Sequence, residues 1–168
     1  MKRLQLLQIV TTLLFLIALL ALFFAVPFIL VTAVMPDQVP FNINGQPAKA
    51  AGAEVIMLML TIAAGFALFT YALYLFKKTL SLFEKGKWLD SAVIINLDRT
   101  GWAILTGYLV GVGPLFLYNT ITRSTIDLEI SFGFGSAPVV LGLSLFFMVL
   151  SDVFRTAKKA EAEDNPTI

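Results

Sequence analysis

Between Arg3 and Asp37 the chain carries no charged residue, and the run from Ile9 to Met35 is almost wholly apolar. A helix rises about 1.5 Å per residue and a hydrocarbon core is about 30 Å thick, so this run is long enough to cross a bilayer. Three further uncharged stretches follow, Val55 to Phe76, Thr100 to Thr122 and Ile130 to Ser151. Each has roughly 22 residues, enough for one crossing, and each is bounded by charges at both ends. Secreted leader peptides have an apolar segment of roughly 7–15 residues, so the first run reads as an uncleaved anchor. The expectation is an all-α membrane protein, a single bundle of four transmembrane helices. The spans are 9–35, 55–85, 100–122 and 137–158, with connecting loops at 36–54, 86–99 and 123–136.

Composition narrows the chemistry. Hydrophobic residues make up 58% of the chain and charged residues 14%, against roughly 45–50% and 25% in soluble domains. There is no cysteine and no histidine, which removes disulfides, thiolate and imidazole metal ligands, and the usual near-neutral general base. No acidic or basic residue lies in the middle of a crossing, where a proton relay or ion path needs one. Thr61, Thr70, Thr106 and Asn119 are polar, but single hydroxyls mostly bond their own helix backbone. The reading is therefore not an enzyme, with no catalytic residue, cofactor or metal. A formal charge of +1 gives no reason to expect direct contact with nucleic acid.

Four crossings place both termini on one side, and the basic residues say which. Lys2, Arg3, Lys77, Lys78, Lys85, Lys87, Arg99, Arg155, Lys158 and Lys159 fall on one side of the bundle, while Lys49 and Arg123 fall on the other. By the bias of cytoplasmic loops toward Lys and Arg, both termini and the second loop face the cytoplasm. Outside, Val39, Phe41 and Ile43 alternate with polar residues before the turn pair Asn44-Gly45, and residues 126–135 alternate likewise. Period-two patterns predict strands, so a small extracellular β-element pairing these two segments is expected.

The second loop is the richest segment. Gly86 suits a left-handed helix cap, and Asp90 or Ser91 can open a new helix on which Leu89, Val93, Ile94 and Leu97 share a face. This is either a short amphipathic helix at the membrane surface or an in-line extension of the third crossing. Its apolar face either packs at the membrane or docks a partner. Asp152 and Arg155, three apart, can pair on one helix face, and Asp152 can instead reach Arg99 or Lys87. In the third crossing Ala103, Gly107 and Gly111 recur every four residues, a spacing that lets helices approach closely, within the bundle or between copies in a homo-oligomer.

Two blocks resemble a bacterial family of four-helix membrane proteins of unknown function, the YoaS-like family. The first is Phe83-x-Lys85-Gly86-x-x-Leu89 followed by Val93-x-x-Leu97-x-Arg99-x-Gly101-Trp102. The second is Leu150-x-Asp152-Val153-Phe154-Arg155 with the closing Glu163-Asp164-Asn165-Pro166-Thr167-Ile168. Members are often encoded beside a small helix-turn-helix regulator. The resemblance thus implies a regulatory protein that docks such a regulator in the cytoplasm, through Phe83, Lys85, Gly86, Leu89, Val93, Leu97, Arg99, Asp152 and Arg155. The alternative is an oligomeric transport or channel subunit, or a protein that binds a lipid or small molecule.

Overall fold

A computed structural model describes residues 2–35, 42–43, 46–47, 53–123 and 137–164. The chain is an all-helical membrane bundle of four long helices: α1 (Lys2–Val34), α2 (Ala53–Glu84), α3 (Ser91–Arg123) and α4 (Ala137–Asp164). Among the described residues α1, α2 and α4 are each long and apolar enough to cross a membrane. The 33-residue α3 lies antiparallel against both α2 and α4, so its apolar stretch runs beside theirs. Between α1 and α2, the strands β1 (Asn42–Ile43) and β2 (Gln46–Pro47) pair antiparallel, Asn42 with Pro47 and Ile43 with Gln46. They flank Asn44-Gly45, the pair whose φ freedom suits a two-residue hairpin. This ribbon pairs the first segment with its own continuation; the expected pairing with residues 126–135 falls on a segment that lies outside the described residues.

On α1 the buried and half-buried positions are Leu4, Gln8, Thr11, Phe15, Ala18, Leu22, Ala25, Ile29 and Thr32, with Thr12 beside them. Their steps alternate between four and three, a period of 3.5 that keeps one seam against a partner helix. Among the described residues the partner is α2 alone. At one end Ile29 packs with Val55 and Met59; at the other the Phe15 ring meets Tyr74 at 6.0 Å and carries the Lys77 ammonium at 5.5 Å. These pairs run in opposite senses along the two helices, so α1 and α2 are antiparallel. The rest of α1 is open, Phe23 at 71% and Leu30 at 60%, as hydrocarbon permits.

The core lies among α2, α3 and α4. A Cβ on Gly65 would stand 2.6 Å from the Gly107 carbonyl oxygen and 2.7 Å from the Gly111 backbone, so only glycine lets α2 and α3 come this close. A Cβ on Gly101 would stand 2.7 Å from the Ser144 carbonyl oxygen and from Met148 Cγ, which sets the spacing of α3 and α4. Ala103, Gly107 and Gly111 are therefore used within the chain: Gly107 and Gly111 face Gly65, and Ala103 is buried in the core with Ala72, Val93, Leu97, Ile104 and Phe147. From α4 a second seam of period 3.5, Ala137, Val140, Ser144, Phe147, Ser151, Phe154 and Lys158, turns inward. Ser151 Oγ donates to the Ile94 carbonyl at 2.8 Å, and Phe76 meets Phe147 edge-on at 5.2 Å.

Candidate functional site

Because α1 to α4 alternate in direction, the connector 85–90, the start of α1 and the end of α4 share one end of the molecule. The connector is built by local hydrogen bonding. Gly86 has φ 72°, and its N–H donates to the Phe83 carbonyl while the Lys87 N–H donates to that of Leu82, both at 3.0 Å. This pair of bonds closes a helix whose last carbonyls would otherwise lack donors. Gly86 has no neighbour within 4 Å of a built Cβ, so its role is conformational. Gly86→Ala should therefore cost about 1 kcal/mol, the penalty of a left-handed L-residue, read as a lowered denaturation midpoint in detergent with the fold intact.

Asp90 then opens α3. Its Oδ1 accepts the Ala92 N–H at 2.9 Å and its carbonyl accepts that of Val93 at 3.0 Å, a cap that satisfies the first free donors. Of the two readings of this stretch, the in-line one holds: Ser91 begins the same helix that ends at Arg123. That decides where the expected docking residues go. Val93 and Leu97 are both 0% exposed, sealed against α2 and α4 as core, so their face is not a free surface. Leu89 is half-buried; Lys85, Gly86, Lys87 and Arg99 are exposed.

Aromatic side chains brace the turn. Trp88 stacks on Phe83 with centroids 4.8 Å apart and planes 14° apart, and Phe83 leans on Phe154 of α4 at 5.7 Å. Trp88 still keeps 43% of its surface open. Neither Trp88 nor Phe154 stood out as a contact in the sequence; the signal was Phe154 continuing the seven-residue repeat of Val140 and Phe147. On α4, Asp152 pairs with Arg155 at 3.1 Å as their spacing suggested; the pair is open to solvent and contributes little. What ties α4 to the start of α3 is instead the Ser151 bond and the Lys158 ammonium donating to Ser91 Oγ.

The membrane-level hydroxyls bond inward to their own helices, Thr61 to Leu58, Thr70 to Phe66 and Thr106 to Trp102, at 2.7–2.9 Å. Asn96 differs: it is 6% exposed and its Nδ2 has no partner. Among the described residues no group of three acidic side chains gathers as a metal site, and two shallow surface grooves, around Pro27 and around Thr12, run along the edge of the α1 seam.

A family model described as a protein of unknown function (DUF2975) matches residues 5–168. No curated protein and no solved structure matches the chain.

Proposed function

The chain belongs to the DUF2975 family of proteins of unknown function, so its role must be argued from its own residues, and we propose that it is an inner-membrane interaction protein that docks a soluble regulator at its connector end. The observation that carries this is the braced turn: Lys85, Lys87 and Trp88 are exposed on a backbone fixed by a cap at each side and by two aromatic contacts. A rigid surface loses little entropy when a partner binds. Trp and cationic residues are the types that anchor interfaces. The excess of Lys and Arg at this end supports placing it, and both termini, in the cytoplasm.

Within the family, the connector and tail blocks resemble YoaS-like members, which makes a small helix-turn-helix protein encoded beside the gene the partner to test. The burial of Val93 and Leu97 removes them from the proposed surface, which keeps the exposed Lys85, Gly86, Lys87, Trp88, Arg99, Asp152 and Arg155 and the half-buried Phe83 and Leu89. The reading is of binding without catalysis. The experiment is co-purification of the full-length membrane protein with that regulator. Lys85→Glu with Lys87→Glu should abolish capture and leave the melting of the bundle unchanged, since both side chains are exposed. Undiminished capture in the double variant removes this surface from consideration.

A further inference from the structure

A second cluster at this end of the molecule is turned toward lipid. On α2 the exposed Tyr71 and Lys78 lie on one flank with the buried Leu75 between them, and on α3 the exposed Arg99 lies between the buried Asn96 and Ala103 at helical spacing. Both flanks face away from α4, because Phe76 and Phe83 meet α4 from α2 while Ile94 and Gly101 meet it from α3. With Gly65 opposite Gly107 and Gly111, the antiparallel register brings Lys78 level with Asn96 and Leu97, one turn from Arg99. The flanks therefore form one surface.

The depth of this surface is set by sequence. The uncharged stretch of α2 ends at Phe76 and that of α3 begins at Thr100, so Lys78 and Arg99 stand at the boundary between hydrocarbon and headgroups. Both are exposed, and among the described residues neither has an ion-pair partner, the ion pair there being Arg155 with Asp152. Trp102 lies one turn deeper than Arg99 and Tyr71 two turns deeper than Lys78, 54% and 44% exposed, amphipathic rings of the kind that settle at the interface. Between the cations is Asn96, buried, with Nδ2 unpartnered.

We propose that this flank of α2 and α3 binds the phosphate headgroup of an anionic phospholipid in the leaflet on the connector side. Lys78 and Arg99 supply the charge and donate to the phosphate oxygens. Tyr71 and Trp102 border the glycerol and the upper acyl chain. The ligand is a lipid and not free phosphate because the charges lie beside an apolar, lipid-level surface instead of lining a closed pocket.

The chain has two tryptophans, so Trp88→Phe leaves Trp102 as the sole reporter. In vesicles of phosphatidylcholine, brominated phosphatidylglycerol should quench Trp102 with about fivefold or greater preference over brominated phosphatidylcholine, the gain a cation near the surface provides. Lys78→Gln with Arg99→Gln should erase the preference, Lys158→Gln with Lys159→Gln should leave it intact, and millimolar inorganic phosphate should not displace it. Equal quenching by the two lipids in the Trp88→Phe protein, a preference that survives the Lys78 and Arg99 changes, or displacement by inorganic phosphate would each overturn the proposal. Lys85 and Lys87 are untouched in these variants, so the result is independent of regulator capture.

Discussion

Gly65→Leu should leave the chain unable to hold α2 against α3, the largest effect of any single substitution at a membrane-level glycine. The new side chain would start 2.6 Å from a carbonyl oxygen and 2.7 Å from backbone atoms of α3. Backbone cannot rotate aside as a side chain can, so the helices must separate. Overpacking costs roughly 1–3 kcal/mol where side chains can adjust and more where they cannot; here about 3 kcal/mol or more is expected, a large share of the roughly 5–15 kcal/mol that holds a typical domain together. In lipid the loss is not recovered elsewhere, because association depends on close packing and not on exclusion from water. Denaturant unfolding in detergent micelles measures it. Gly142→Leu is the control, since nothing lies within 4 Å of its built Cβ; a Gly65 variant that melts with the Gly142 variant would refute the packing account.

The second large effect is Leu97→Asp. Leu97 is fully buried in a core shared with Val93 and Phe147, whose described members are all apolar. An isolated carboxylate there must either remain protonated or open the structure, and truncation of the packing adds its own cost. A loss of about 4–5 kcal/mol is expected, the range in which single substitutions abolish folding. Leu89→Asp, at a half-buried position in the turn, should cost far less, because water reaches it. Proteolysis of the purified variants distinguishes the two: rapid cleavage of the Leu97 variant and slow cleavage of the Leu89 variant. The contrast also explains why a charge at Leu97 cannot serve as a probe of docking.

The helices were legible in the sequence because charge-free length is a direct consequence of bilayer thickness, and the α2 to α3 turn because Gly86 and Asp90 are residues whose backbone chemistry marks ends. The side on which each helix packs was not. In water the buried face is the apolar face, but α1 is apolar all round, so hydrophobicity carries no direction. Size carries it instead: Thr11, Ala18, Ala25 and Thr32 stand seven apart on α1, as do Ser144 and Ser151 on α4. Gly65 was overlooked for the same reason, a single small residue after Ala63 and Ala64, whose partner Gly107 was conspicuous only by its spacing from Gly111. In the connector, apolar spacing alone gave Val93 and Leu97 as a surface; their burial followed from α3 continuing in line, which brings α4 over them.

The single line of attachment along α1 determines how much of that helix is specified. About nine positions fit it to its neighbour; the remainder need only dissolve in hydrocarbon, a condition that leucine, isoleucine, valine and phenylalanine meet equally well. Mutational drift on the outer arc is therefore nearly free, and kinship between such chains is better judged by the spacing of their small residues than by overall identity.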